Sequence, residues 1–196
     1  MVFSQLATHS TLLAKVATGD AAAWREFSDR YAELIRAFCR RQGLQVADID
    51  DVQQDVLMSL SKAMPGFRYD PTKGAFRSYL KTVVLHAIYR RSCQKRPSGS
   101  LEDWQEQSRI AGADADIDQQ WEAEWRQHHL RQALRAAASE FNEADMSAFE
   151  QYAVRGREAR EVADSLGMSV DQVYQSKSRI MKRIVALIEQ QTADEG

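Results

Sequence analysis

The chain has 196 residues, of which 44% are hydrophobic and 28% charged, and its formal net charge is -2. This length suits one medium domain or two small ones, with enough apolar residues for packed cores. The only cysteines, Cys39 and Cys93, form no CxxC pair, which argues against a disulfide framework or a zinc ribbon. No 18-residue apolar stretch and no leader-like N-terminus occur, so we expect a protein of the reducing cytoplasm without a membrane span.

Charge is strongly segregated along the chain. Residues 65–96 carry eight Lys and Arg against one Asp, whereas residues 97–124 carry eight Asp and Glu against one Arg. A partner senses the field within a Debye length of about 8 Å at physiological salt, and not the total charge. The basic block therefore predicts a surface for an anionic partner despite the acidic total.

The first half of the chain predicts two amphipathic helices. With three Pro and nine Gly in the whole chain, there is little punctuation for a sheet. The first helix is expected from the N-cap Asp20 to Gly43, and the second from near Asp48 or Asp50 to Pro65-Gly66. The apolar positions at three- and four-residue steps are Trp24, Phe27, Tyr31, Leu34, Ile35, Phe38, Val52, Val56, Leu60 and Met64.

A basic helix is predicted over residues 75–95, with no acidic residue from Gly74 to Arg96. The side opposite its apolar face carries Lys81 together with Leu85 and Tyr89. Cations and an outward ring suit single-stranded nucleic acid, in which each base stacked on an aromatic ring contributes about 1–3 kcal/mol. The alternative is a solvated basic helix whose Leu85 and Tyr89 are covered by a neighbour. The predicted apolar face consists of Phe76, Tyr79, Leu80, Val83, Val84, Ala87 and Ile88.

An acidic linker is predicted over residues 97–118, where periodicity is weak and small residues are common. It divides the chain into a first domain, residues 1–96, and a second domain, residues 119–196. The apolar positions expected to build the second domain are Trp121, Trp125, Leu130, Leu134, Phe141, Phe149 and Tyr152.

The end of the chain has helix-turn-helix spacing. Gly167 can adopt the left-handed turn after a short helix, and Ser169 with Gln172 forms a capping box for the next helix. Amides and hydroxyls near the start of that helix suit major-groove base edges, and its cations suit phosphates. Helical hairpins in proteins that bind no DNA also contain a glycine turn. The residues expected to face outward are Asp171, Gln172, Gln175, Ser178, Arg179 and Lys182.

Three segments together resemble the bacterial sigma-70 family, in its extracytoplasmic-function type. "DIDDVQQDVLMSL" resembles the region 2 helix that docks on the RNA polymerase β′ clamp, and "GAFRSYLKTVVLHAIYRRSCQKR" resembles the helix that reads and melts the promoter -10 element. "REVADSLGMSVDQVYQSKSRIMKRI" is similar to region 4, which reads the -35 element. The resemblance implies an all-α fold of two helical domains joined by the acidic linker, with the helix-turn-helix in the second.

The resemblance also implies partners and residue roles. Asp51, Gln54 and Asp55 would face the polymerase, whose β′ clamp and β flap are the implied contacts. Promoter DNA would be bound as single strand and as duplex, the linker would run toward the polymerase's RNA path, and an anti-sigma factor is a further partner that the family admits. The implied -10 residues are Arg77, Lys81, Leu85, His86, Tyr89, Arg90 and Arg91. The implied -35 residues are Ser169, Asp171, Gln172, Tyr174, Gln175, Ser178, Arg179 and Lys182.

Two other classes of function, an enzyme and a duplex-binding regulator, are alternatives to this interpretation. Asp51 and Asp55 share a helix face and could hold Mg²⁺ for a diphosphate substrate, but a second acidic cluster on a facing helix is missing and a helix dipole explains acids near a helix start. His128 and His129 beside the lone Cys93 make a poor metal site, because adjacent helical positions point about 100° apart. Both histidines are expected at the surface. No catalysis, metal or cofactor is therefore predicted. The nearer alternative is a regulator that binds duplex DNA through its helix-turn-helix and uses its first domain for protein contacts alone.

Overall fold

The computed structural model describes residues 9–65, 76–94 and 115–193. Every regular element within these ranges is helical, so the all-α prediction is confirmed. None of the described helices is both long and apolar enough to cross a bilayer. The elements are α1 (His9–Ala17), α2 (Ala21–Arg41), α3 (Val46–Ala63), α4 (Phe76–Gln94), α5 (Ala115–Glu140), α6 (Glu143–Phe149) with a π-helical turn (Glu150–Val154), α7 (Ala159–Leu166) and α8 (Val170–Ala193).

Local signals set the ends of α2 where the sequence predicts them. The Asp20 carboxylate accepts the backbone N–H groups of Ala22 and Ala23 at 2.8 and 3.0 Å, and these bonds, first that of Ala23, hold the pKa of Asp20 below its usual value. Gly43, at φ 78°, lies in the left-handed region that ends a helix. The apolar stripe between these two ends is buried from Phe27 to Phe38, whereas Trp24 is half-buried.

The chain divides into two compact units, with residues up to His128 in the first and His129–Thr192 in the second. The first unit has one apolar core to which α1 to α4 and the start of α5 contribute. Helix α1 was not predicted, although its Leu12, Leu13 and Val16 are buried there.

The start of α5 belongs to the first unit, contrary to the assignment of its tryptophans to the second. Trp121 packs edge-on against Phe38, with ring centroids 5.0 Å apart, and Trp125 stacks on Tyr31 at 6.2 Å. Both indoles are buried. Of the predicted linker 97–118, residues 97–114 lie outside the described residues, while 115–118 are the first turn of α5.

The expectation that His128 and His129 lie at the surface is wrong. His128 is 1% exposed and His129 2% exposed. The His128 ring stacks on Tyr31, with centroids 5.9 Å apart, and His129 Nδ1 lies 3.1 Å from Gln191 Oε1. Adjacent helical residues point about 100° apart, and here both directions meet packed partners that are distant in sequence.

The second unit contains the predicted helix-turn-helix. Helix α7 ends at Gly167, whose φ of 64° is left-handed, and α8 follows from Val170. The apolar residues of the two helices are buried in neighbouring clusters, one around Val162 and Val173 and the other around Ile180 and Leu187. This packing fixes which side of α8 remains at the surface.

Candidate functional site

The N-terminal half of α4 presents its cations to acidic residues of α5. Arg77 Nη1 lies 3.0 Å from Glu122 Oε2, and Lys81 Nζ lies 2.6 Å from Asp118 Oδ1. The Lys81 side chain keeps only 17% of its exposure. Both residues were predicted to contact the -10 strand, and both are ion-paired within the first unit.

The C-terminal half of α4 is paired in the same way, with α3. Arg90 Nη2 lies 2.5 Å from Asp55 Oδ2, while Arg91 bonds Asp48 at 2.9 Å and Asp51 at 2.5 Å. Donation to Asp48, with the other carboxylates adding, raises the pKa of the Arg91 guanidinium. The predicted polymerase-binding acids and predicted DNA-binding cations thus share one network.

Leu85 is not on the outer side of α4, so that expectation is wrong. It is 2% exposed and belongs to the core, against which Tyr89 also packs while remaining half-buried. Helix α4 is flanked by α5 at Lys81 and by α3 at Arg91, so a wider sector of it is covered than one apolar stripe requires. The alternative in which a neighbour covers these side chains holds for Leu85. His86 is exposed.

The three predicted polymerase-binding residues lie on two sides of α3. Asp51 and Asp55 face the arginines of α4. Gln54 instead lines a groove with Trp24 and Met58. Val52 and Val56 are buried, as predicted, but the groove was not predicted. Its signal was Met58, an apolar residue that lies off the buried stripe and is 44% exposed.

The groove is partly polar. Arg36 of α2 donates to Asp50 and, at 3.1 Å, to Gln53 Oε1 of α3. These bonds tie the two helices together along the groove wall. An apolar floor beside a fixed polar rim is the usual composition of a protein-binding surface.

The two arginines that hold Asp51 and Asp55 also bear on the Mg²⁺ alternative. Asp55 pairs with Arg90 and Asp51 with Arg91, so a metal ion there would compete with two guanidinium groups. Among the described residues, no group of three or more His, Cys, Asp or Glu is placed to hold a metal ion.

The outer side of α8 carries the predicted -35 residues. The capping box forms as expected: Ser169 N–H donates to Gln172 Oε1 at 2.7 Å and Gln172 N–H donates to Ser169 Oγ at 3.1 Å. Tyr174 is 48% exposed. All eight predicted residues are exposed, namely Ser169, Asp171, Gln172, Tyr174, Gln175, Ser178, Arg179 and Lys182.

Asp145 of α6 joins that helix to α8 by hydrogen bonds, and this role was not predicted. It is 7% exposed and accepts the Ser176 hydroxyl and, at 2.9 Å, Arg179 Nη2. Ser176 is fully buried. The available signal was Asn142 followed three residues later by Asp145, the pattern of a helix start. Asp145 fixes both the rotation of α8 and the position of one predicted phosphate-binding cation.

An aromatic pair supports the same face of α8. The rings of Tyr152 and Tyr174 meet edge-on with centroids 5.5 Å apart. Lys177 Nζ lies 5.3 Å from the Tyr152 ring centroid, a cation–π distance. Near the end of the face, Arg183 forms a bidentate pair with Glu140 at 2.6 and 2.7 Å, which holds the pKa of that carboxyl below its usual value.

Residues 27–96 match the family model described as Sigma-70 region 2. This range takes in most of α2, all of α3 and α4, and therefore the paired network of Asp48, Asp51 and Asp55 with Arg90 and Arg91. None of the curated proteins matches the chain. A solved structure of CnrH in complex with the cytosolic domain of CnrY is similar at 20% identity, covering 92% of this chain and 96% of that chain, with a TM-score of 0.37.

Proposed function

From the match of residues 27–96 to the Sigma-70 region 2 model, we propose that the chain is a sigma-70 family promoter-specificity factor of the extracytoplasmic-function type. It binds core RNA polymerase, directs it to promoters and performs no chemistry of its own. The observation that carries the proposal is the region 2 match over residues 27–96, which spans the cation-rich helix α4. Its partners are core polymerase, promoter DNA and, as an expectation from the family, an anti-sigma factor.

Core polymerase docks on α3 in this proposal. Gln54 and the exposed Met58 offer the groove between α2 and α3, and Asp51 and Asp55 offer carboxylates at the edge toward α4. The two carboxylates are 50% and 30% exposed. They therefore remain accessible to cations of the polymerase's β′ clamp while paired with α4.

The opened -10 strand lies along α4. Arg77, Lys81, Arg90 and Arg91 provide cations for phosphates, while His86 and the half-buried Tyr89 provide flat rings. Leu85 contributes packing only, because it is buried. Each base stacked on a ring contributes about 1–3 kcal/mol, which offsets part of the few kcal/mol that extruding a base from the duplex costs.

The -35 duplex is read by α8. Its exposed N-terminal residues, from Ser169 to Ser178, suit the major groove, where a bidentate side-chain contact discriminates by about 1–3 kcal/mol. Arg179 and Lys182 suit the flanking phosphates. The β flap of the polymerase is the further contact expected for this unit.

Run-off transcription tests the proposal. Purified core polymerase is supplied with the full chain and a library of promoter fragments, and transcripts are sequenced at their 5′ ends. We expect new start sites that require the chain and no other factor. A duplex-binding regulator would bind fragments of the same library yet start no transcription with core polymerase alone, and that result would refute the sigma proposal.

A single-residue variant tests the assignment of α4. Tyr89→Ala should leave duplex binding unchanged and reduce strand opening, measured as permanganate reactivity of thymines in the polymerase complex. Thr82→Ala, at an exposed position of the same helix that is not assigned to the strand, is the control. Unchanged opening in a folded Tyr89 variant would remove this ring from the site.

A further inference from the structure

The start of α5, residues 115–124, lies along α4 and matches its charges. Asp118 and Glu122 are one helical turn apart, as are Lys81 and Arg77. Their pairing is antiparallel, Asp118 with Lys81 at 2.6 Å and Glu122 with Arg77 at 3.0 Å. Residues four apart share a helix face, so the two rows form a matched ladder. We call residues 115–124 the acidic strap.

Apolar packing and polar bonds hold the acidic strap in register. Trp121 lies between the two acids in sequence and is 1% exposed, packed edge-on against Phe38. Gln120 Oε1 accepts from Gln42 Nε2 at 2.7 Å, and Glu124 pairs with Arg41 at 3.0 Å. The helix backbone is therefore fixed by contacts with α2, which leaves the acid side chains aimed at α4.

The carboxylates of the acidic strap pair with the same cations, Arg77 and Lys81, that α4 would offer to the phosphates of a bound strand. A carboxylate and a phosphate oxygen are alternative partners for the same ammonium or guanidinium. Lys81 can meet a phosphate only after Asp118 leaves it, since its side chain is 17% exposed. We infer that the acidic strap is an autoinhibitory element that competes with single-stranded nucleic acid for Arg77 and Lys81; this rests on the function proposed for α4.

The competition is reversible because the ion pairs are weak. The Asp118 and Glu122 side chains are 48% and 39% exposed, and pairs of that exposure are strongly screened by solvent. Trp121 remains buried when a carboxylate rotates away, so exchange requires only side-chain motion. A strand that offers several phosphates, each releasing counterions, can then displace two carboxylates without unfolding the unit.

Charge-neutral substitutions in the full chain test this inference. Asp118→Asn with Glu122→Gln removes the competing charges and retains the shapes. The control is Asp29→Asn with Glu143→Gln, two exposed acids outside α4 and the acidic strap, which changes net charge equally. The probe is a fluorescein-labelled oligo-dT of 15 nucleotides at low salt, without polymerase. We expect the strap variant to bind it roughly 3- to 30-fold more tightly than wild type, and the control to gain clearly less.

A double-mutant cycle assigns the gain to the ladder. In a background of Arg77→Gln with Lys81→Gln, the strap substitutions should bring no gain beyond that of the control. A gain of equal size in this background, or a strap variant that binds like the control, overturns the inference. So does absence of oligo-dT binding in every variant.

A cross-link tests whether side-chain motion is enough. In a Cys93→Ser background, Gln42→Cys and Gln120→Cys place thiols at two positions whose amides now touch, and a short bismaleimide can span the gap that the shorter side chains leave. The bridge should leave oligo-dT affinity unchanged, whereas a large loss of affinity would contradict exchange by side-chain motion alone. These measurements use no polymerase, so failure of run-off transcription would refute the proposed function without affecting them, and the converse also holds.

Discussion

Replacement of Asp145 by Ala should selectively destabilise the second unit. Its carboxylate joins α6 to α8 by accepting the Ser176 hydroxyl and Arg179 Nη2, and it also accepts from Asn142 Nδ2 at 2.9 Å. Truncation removes all three bonds. Because Asp145 is 7% exposed, water replaces them incompletely.

The magnitude follows from what each partner retains. Once Asp145 is truncated, Ser176 can turn its one hydroxyl proton to the Gln172 carbonyl, 2.9 Å away, so its buried hydroxyl is not orphaned, and only the charge-assisted bond of about 1.5–3 kcal/mol is lost. The Arg179 side chain is 58% exposed, so its loss is at most about 1 kcal/mol. With a further bond of about 1 kcal/mol from Asn142, the expected loss of unfolding free energy is roughly 2.5–5 kcal/mol.

The distribution of tryptophan makes the assay specific. Trp24, Trp121 and Trp125 belong to the first unit, and no tryptophan follows residue 125 in the sequence. Tryptophan fluorescence therefore does not report on the second unit, whereas tyrosine fluorescence and far-ultraviolet circular dichroism include it. For a unit of this size, a loss of about 2.5–5 kcal/mol lowers Tm by roughly 10–40 °C. Asp164→Ala, at an exposed position in α7, is the matched control. Equal shifts in both variants would refute the role of Asp145.

Three further predictions concern both units. Iodoacetamide should label Cys93 but not Cys39 in the native chain, since burial raises the pKa of the Cys39 thiol to about 12, and both should react in denaturant. A label found on Cys39 by mass spectrometry after reaction of the native chain at pH 8 would contradict this. Glu140→Gln should lower stability by no more than about 1 kcal/mol at neutral pH. Because the pair with Arg183 lowers the pKa of Glu140, the stability difference between wild type and this variant is present above the unfolded pKa and vanishes as acid protonates the folded carboxyl. Urea titrations should therefore show the difference at pH 7 and not at pH 3, and an equal difference at both pH values would refute the pair. Gly167→Ala forces an L side chain into φ 64° and should cost about 1–2 kcal/mol, read from the circular dichroism transition of the second unit, whereas an unchanged transition would show that the turn relaxes.

Sequence alone predicted the features that local chemistry determines. Asp20 caps α2 with its own carboxylate, and Ser169 and Gln172 cap α8 by exchanging bonds three residues apart. Gly167 ends α7 because glycine tolerates a positive φ. In each case the residues that determine the structure lie within one turn of the element end, so a short window contains the whole cause.

Features that depend on distant partners were missed or misplaced. Trp121 reads equally well as a core residue of either unit, and only its contact with Phe38, far back in the chain, assigns it to the first. Leu85 reads as outward because one apolar stripe was assumed for a helix that has neighbours on two sides. His128 likewise looks like a surface residue until Tyr31 stacks on it.

Partners distant in sequence also determine what the segregated charges mean for function. A basic block followed by an acidic block suggests an exposed cationic surface, yet Lys81 and Arg91 of α4 are each within 3 Å of a carboxylate. A strand that binds α4 therefore exchanges one anion for another, and the gain per contact is the difference between two screened pairs. Polymerase cations that contact Asp51 would weaken its ion pair with Arg91, so Arg91 would give up less when it binds a phosphate. Binding of the polymerase to α3 should then raise the affinity of α4 for DNA, a coupling that neither helix could provide if its charges were unpaired.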